Sequence, residues 1–186
     1  MKPGKVRIIG GQWRGRLINV PEGEGLRPTP DRVRETLFNW LAQIIPGARC
    51  LDAFAGTGVL GFEALSRGAS YVEMVDKDKN VIAALQKTAI SLATEAVAIY
   101  QAQAPFGLKR VQQPFDVVFL DPPYQADLVI PSIQYLEENA FLAPRAWIYL
   151  EANVKMTQVD LPANWHLQKE KRAGQVYYHL VLRESV

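Results

Sequence analysis

The sequence predicts an α/β fold: a mostly parallel, seven-stranded sheet with helices on both faces, closed by an antiparallel C-terminal hairpin and preceded by a small N-terminal β-hairpin. Three observations carry this. From residue 48 onward, apolar runs bounded by turn residues (49–54, 71–75, 97–100, 115–120 and 147–150) alternate with stretches of helical period near 58–67, 79–93 and 127–139, the pattern of βαβ units. Two long β runs, 165–172 and 175–183, then meet at Ala173-Gly174, so they pair antiparallel at the end of the sheet. The chain has 186 residues, 48% of them hydrophobic, with 13 Gly and 12 Pro, which is the size and composition of one compact domain.

Taken in order, the first element is a basic arm. Residues 1–34 hold eight Lys and Arg against three acids, a balance of +5, whereas the remaining 152 residues carry −3, within a total of +2. Such asymmetry points to a polyanion. Residues 6–18 read as two short β runs around glycines, with Trp13 as a packing anchor or a stacking surface for a base. Residues 1–30 are therefore read as a basic hairpin and loop, and residues 31–186 as the main domain. Pro21 to Pro30 is a loop. After it Val33, Leu37, Phe38, Trp40, Leu41 and Ile44 recur at helical spacing, with Thr29 or Asp31 as cap and Pro46-Gly47 as terminator.

Several classes are excluded early. One cysteine, Cys50, makes no internal disulfide, and with His166 and His179 far apart in sequence no metal-ligand cluster is expected. Cys50 lies within a buried run and reads as core. No stretch approaches 18 uncharged apolar residues, and the N-terminus lacks an apolar leader core, so a soluble cytoplasmic protein without a membrane partner is expected.

Two motifs carry chemistry. Gly56, Gly58 and Gly61 satisfy G-x-G-x-x-G between a strand and a helix, and Asp76 follows Gly56 by 20 residues at the end of the next strand. This fits a nucleoside-containing cofactor whose ribose hydroxyls meet the distal acid. Asp52, where the strand meets the loop, would repel a dinucleotide pyrophosphate and suits a cation better. S-adenosylmethionine, cationic at sulfur and at its amino group, is the expected cofactor; a helix-capping role is the plain alternative for Asp52.

The second motif is Asp121-Pro122-Pro123-Tyr124 after the apolar run 115–120, a tetrapeptide expected by chance on the order of once in a thousand chains this long. An exocyclic amine on a nucleobase is a weak nucleophile because its lone pair is delocalised into the ring. Hydrogen bonds from its two N–H groups to the Asp121 carboxylate and the Pro122 carbonyl would localise that pair and aim it. The prolines stiffen the loop, and Tyr124 offers a face for an unstacked base.

Together these stretches resemble class I S-adenosylmethionine-dependent methyltransferases acting on an exocyclic amine, with a Rossmann-like fold. More narrowly they resemble the bacterial RsmD family, which methylates N2 of a guanine in 16S (small-subunit) ribosomal RNA. The matching runs are 7–16, 26–41, 51–69, Asp121 to Tyr124 and 173–177. The resemblance implies a catalytic base pocket at Asp121, Pro122, Pro123 and Tyr124. It implies cofactor contacts at Thr29, Arg32, Asp52, Phe54, Gly56, Gly58, Asp76, Gln103 and Ala104, with residues 28–32 closing over the cofactor. Where the family often has Asp or Asn before Ala for the adenine amine, this chain has Gln103, which reaches further but accepts the same bond. Arg7, Arg14, Arg16, Arg27 and Arg34, with Arg32, are expected to hold RNA phosphates. A monomer acting on 16S rRNA, within an assembling or assembled small subunit, without metal, is the implied protein.

Three other functions compete. An adenine-N6 methyltransferase on DNA or RNA shares the second motif, but for DNA a target-recognition insertion is not visible. A nicotinamide-dependent oxidoreductase shares the glycine loop but predicts a substrate domain for which 186 residues leave no room. A non-catalytic RNA-binding module would need neither Asp121 nor the loop. The basic run Lys169, Lys171 and Arg172 reads as an edge guarded against strand pairing or as an RNA contact.

Overall fold

A computed structural model describes residues 4–20, 29–123 and 127–185. Arg27 and Tyr124, two of the expected site residues, lie outside the described residues. The chain opens with β1 (Lys5–Arg7) and β2 (Leu17–Asn19), which pair antiparallel as a separate two-stranded sheet. There follow α1 (Asp31–Trp40), β3 (Arg49–Asp52), α2 (Val59–Ser66), β4 (Tyr71–Asp76), α3 (Lys79–Ser91), β5 (Val97–Gln101), β6 (Phe115–Leu120), α4 (Val129–Glu138) and β7 (Leu142–Ala152). After a 3₁₀ turn at Gln158–Asp160, β8 (Trp165–Ala173) and β9 (Val176–Glu184) end the chain. The main sheet runs β5-β4-β3-β6-β7-β9-β8, parallel from β5 to β7, with β9 antiparallel to both of its neighbours. This is the mostly parallel seven-stranded sheet with an antiparallel C-terminal hairpin that the alternating pattern and the two terminal β runs predict.

Alternation along the strands sorts the core into two layers. Cys50, Met74, Val117, Phe119 and Tyr149 share one apolar cluster with α1, α2, α3 and the N-terminal hairpin; Leu51, Val75, Val118, Leu120 and Leu150 share the other with α4. Cys50 is core, as its run predicts. Trp165, fully buried, donates its indole N–H to Glu137, which also takes the Arg183 guanidinium at 2.8 Å. Those hydrogen bonds, Arg183 foremost, hold the Glu137 carboxyl down at about 2 and fasten α4 to the terminal hairpin.

Two element boundaries differ from the sequence reading. Neither Thr29 nor Asp31 caps α1: Pro30 occupies the N-cap without a side-chain bond, and Asp31 turns to Arg34 instead. The α-helix stops at Trp40, and the apolar spacing carries on through a hydrogen-bonded turn in which Leu41 accepts from Ile44 and Ile45. β7 begins five residues before the predicted run. Its first half contains Pro144, at an irregularity where the pairing with β6 breaks between Phe115 and Val117, which is where a strand tolerates a missing N–H.

The hairpin is packed into the main core, with Val6, Ile8 and Ile18 buried and Trp13 half-buried against the same cluster as α1, α2 and α3. Trp13 is thereby seated as a packing anchor. Its hold on α2 is polar. Glu63, fully buried, accepts from the Ile9 amide at 2.9 Å and pairs with Arg34 at 3.4 Å and Arg67 at 2.7 Å. Ser66 donates to the Gly10 carbonyl at 2.6 Å and accepts from the Trp13 amide at 2.9 Å, and the Gln12 amide reaches the Ser66 carbonyl at 2.7 Å. Gly11 lies so close that a Cβ would sit 1.8 Å from that carbonyl.

A buried charge that loses its partner costs about 3–5 kcal/mol. Glu63→Ala is therefore expected to lower the unfolding free energy by about that amount, read by denaturant titration, and to open residues 5–19 to limited proteolysis. An unchanged midpoint would mean that the hairpin is held by its apolar contacts alone.

Candidate functional site

The parallel register places the carboxyl ends of β4, β3, β6 and β7 side by side, and an acid stands at or next to the end of each. Asp52 follows Cys50 by two residues, Asp76 follows Met74, Asp121 follows Phe119 and Glu151 follows Tyr149. Since residues two apart share a face, all four point to the layer of α1, α2 and α3.

The glycine loop between β3 and α2 builds the floor. Gly58 is the N-cap of α2 in the left-handed region at φ +73, where a Cβ would also lie 2.3 Å from Leu85 Cδ2. Gly61 lets the first turn of α2 lie against β4, since a Cβ there would meet Met74 Cε at 2.5 Å. The loop is stitched to its neighbours by Ala53 N–H to Phe119 O (3.2 Å) and Ala55 N–H to Val75 O (2.8 Å). Phe54 packs partly buried against the α4-side cluster.

Asp76 and Asp52 are held by backbone donors. Asp76 accepts from the Gly56 amide and from the Asp78 amide, both at 2.9 Å. Asp52 accepts from the Gly61 amide at 3.1 Å in the first turn of α2. The capping reading of Asp52 is thus fulfilled, yet one bond does not offset its burial: desolvation first, and the Asp76 charge after it, raise its carboxyl to about 7. Asp121 is pushed well above the usual carboxylate range by burial, then by Glu151 and Asp52. Glu151, buried, accepts from the Tyr149 hydroxyl at 2.6 Å. That tyrosine is itself raised well above its ordinary value by burial and by Glu151. Four acids crowded on one face favour a cation.

The remaining expected contacts fall around this edge. Gln103 and Ala104 follow β5, beginning beside Asp76, whose carbonyl accepts from the Ala102 amide at 3.0 Å; Gln103 is exposed and Ala104 buried. Thr29 is buried just before α1, its carbonyl accepting from Arg34 Nε at 3.1 Å, and Arg32 is exposed on the first turn. Pro122 is buried and Pro123 exposed. Among the described residues no group of three or more potential metal ligands occurs, and no helix is long and apolar enough to cross a membrane.

The arm divides. Arg7, Arg14 and Arg16 are exposed. Arg34 corrects the sequence reading: it is fully buried, and its guanidinium is committed to Glu63, Asp31 and the carbonyls of Thr29 and Arg7. A fully buried cation whose three guanidinium nitrogens each bond inside the protein holds the hairpin and is not available to a phosphate. Two residues escaped the sequence reading altogether. Glu151 ends an apolar strand run as Asp52, Asp76 and Asp121 do, and that shared position was its signal. Glu63 gave only an i,i+4 pairing with Arg67.

The protein-family model described as Conserved hypothetical protein 95 matches residues 6–182. The chain is 48% identical over 182 residues to Ribosomal RNA small subunit methyltransferase D of Escherichia coli (strain K12), covering 98% of this chain and 92% of that protein. The protein of the same name from Haemophilus influenzae is 49% identical over 181 residues, covering 95% and 93%. Among solved structures, yhhF from Escherichia coli superposes with a TM-score of 0.89 at 48% identity, over 98% of this chain and all of that one.

The raised Asp52 carboxyl has a consequence for stability. Unfolded, the group loses its proton near 3.8; folded, it keeps it to about 7. Between those values the native state binds more protons, so its contribution to stability falls as pH rises through the window and is flat above it. The stability of Asp52→Asn relative to the unsubstituted protein should therefore grow between pH 5 and pH 8 in denaturant titrations. A difference independent of pH would place the Asp52 carboxyl at an ordinary value.

Proposed function

The chain belongs to the RsmD family, the family of the Conserved hypothetical protein 95 model, and from that premise we propose that it transfers a methyl group from S-adenosylmethionine to the exocyclic N2 amine of a guanine in 16S ribosomal RNA. The observation that carries this reading is Asp121-Pro122 at the carboxyl end of the central strand, on the same face as Asp52 and Asp76. Open α/β sheets bind their ligands at that end. The relatives' shared name supplies the RNA class.

The donor set fits the cofactor. Two acids whose burial makes their ionised forms costly, Asp52 and Asp121, gain most from a positive neighbour. The backbone bonds already on Asp76 leave carboxylate lone pairs for ribose hydroxyls. In this reading Asp52, Phe54, Gly56, Gly58, Asp76, Gln103 and Ala104 hold S-adenosylmethionine, with Thr29 and Arg32 over it. Bound there, the cofactor supplies an electrophilic methyl group on a sulfonium.

The chain's own task is to prepare the amine. The Asp121 carboxylate accepts one N–H and the Pro122 carbonyl the other, which draws the lone pair out of conjugation and fixes its direction. Pro122 and Pro123 keep that carbonyl still. Once methylated, the amine is cationic and acidic, so its proton passes to Asp121 or to water without a strong base. The rate arises mainly from positioning. Arg7, Arg14, Arg16 and Arg32, together with Arg27, hold phosphates and set register without reading sequence. The protein works as a monomer, in the cytoplasm, on naked rRNA or on the small subunit.

Incubation with labelled S-adenosylmethionine and small-subunit particles, naked 16S rRNA or duplex DNA, followed by nucleoside analysis, should give N2-methylguanosine from RNA alone; N6-methyladenine would overturn the reading. Asp121→Asn should lower turnover by about 100-fold or more while leaving cofactor affinity within about twofold, measured by calorimetry. Lost cofactor affinity in that variant would assign Asp121 to the cofactor instead of the base.

A further inference from the structure

Between the hairpin and α3 lies an open groove of about 650 Å³ that belongs to neither motif. One wall is Arg16 with Leu17 and Asn19 of β2; the other is α3, with Asn80 and Lys87 and with its Ala83 and Ala84 as the floor. We propose that this groove seats a single-stranded segment of the RNA substrate by its phosphate backbone, an inference that rests on the RNA reading above and assigns it a second surface beyond the arm.

The charge is one-sided. The groove is lined by two cations, Arg16 and Lys87, and by no acid. The whole of α3, thirteen residues long, carries Lys79 and Lys87 and no Asp or Glu. Spacings of three and four bring Asn80, Ala83, Ala84 and Lys87 onto one helix face, so amide and ammonium donors stand along a strip whose middle is bare of long side chains. A sugar-phosphate chain can approach the helix closely there. Leu17, 59% exposed, offers an apolar surface on which a base can lie. A positively charged groove that tracks the backbone is the sequence-independent part of how single strands are held.

The walls are set in advance. Arg16 Nη1 reaches the Ser91 carbonyl at 3.4 Å at the far end of α3, which leaves its other donors to a phosphate. The hairpin behind it is fastened to α2 through Glu63 and Ser66. At the near end, the Asn80 backbone N–H donates to the Asp78 carboxylate, and the Asp78 backbone N–H to the Asp76 carboxylate. The groove thus runs along about 20 Å of helix, and its Asn80 end lies toward the carboxyl edge of the sheet, where β4 gives way to α3. An acidic polypeptide shares the negative charge, but the amides of Asn19 and Asn80 and the approach to the candidate site favour RNA.

Two full-length variants test this: Lys87→Glu, which reverses a wall charge, and Ala84→Trp, which fills the floor without changing charge. Binding of a naked 16S rRNA transcript is measured across a salt series. Lys87→Glu should weaken it about tenfold at low salt and reduce the slope of log K against log salt by about one. Ala84→Trp should weaken it with the slope nearly unchanged, and both variants should keep the unsubstituted unfolding midpoint and S-adenosylmethionine affinity. Unchanged rRNA binding in both overturns the groove. If N2-methylguanosine still forms in that case, the proposed function stands without it. Binding of poly-glutamate that Lys87→Glu abolishes while rRNA binding persists would reassign the groove to an acidic polypeptide.

Discussion

The constraint on which the rest depends is the alternation of side chains in a parallel sheet. Because residues two apart share a face and all parallel strands end on the same edge, an acid at the end of each of four neighbouring strands makes one carboxylate cluster. Asp76, Asp52, Asp121 and Glu151 arise this way, each two residues beyond a side chain of a single apolar layer. A shift of one residue in any strand would bury that acid beneath α4. The glycine loop has its form because it must pass beneath this cluster, with Gly58 and Gly61 giving way to Leu85, Phe62 and Met74.

A second buried charge makes the hairpin part of the body. Glu63 on α2 gathers the Ile9 amide, Arg34 and Arg67, while Arg34 reaches back to the Arg7 carbonyl. A polar knot of this sort adds little net stability compared with an apolar filling, since desolvation offsets most of the attraction. What it specifies is geometry: an amide and a carbonyl of the hairpin are satisfied at one position only. The exposed cations of the arm are thereby presented from a fixed frame, which lowers the ordering cost of binding a polyanion.

Much of this was legible in the sequence, for physical reasons. Strands β3, β4, β5 and β6 read as apolar runs because a parallel sheet is covered on both faces. Asp52, Asp76 and Asp121 stand in motifs whose spacing reflects the strand–loop–helix geometry. The first half of β7 does not show in the sequence because Pro144 and Arg145 interrupt its apolar pattern, at a pairing irregularity. Arg34 was misread because a charge count does not distinguish a buried cation from an exposed one, and its partner Glu63 lies 29 residues away. Glu151 has no motif around it; its significance comes only from the strand beside it.

The carboxylate edge also links the shape of the site to its charge. Burial makes the ionised forms of Asp52 and Asp121 costly, while three of the four acids accept hydrogen bonds: Asp52 from Gly61, Asp76 from Gly56 and Asp78, Glu151 from Tyr149. The loop conformation and the ionisation of the acids therefore stabilise one another, since a carboxylate that gains charge strengthens the amide bonds that hold the loop. A cationic ligand lying among these acids favours their ionised forms and, through them, the loop on which it rests. Affinity for the cation and order in the glycine loop rise together because both draw on the same carboxylates.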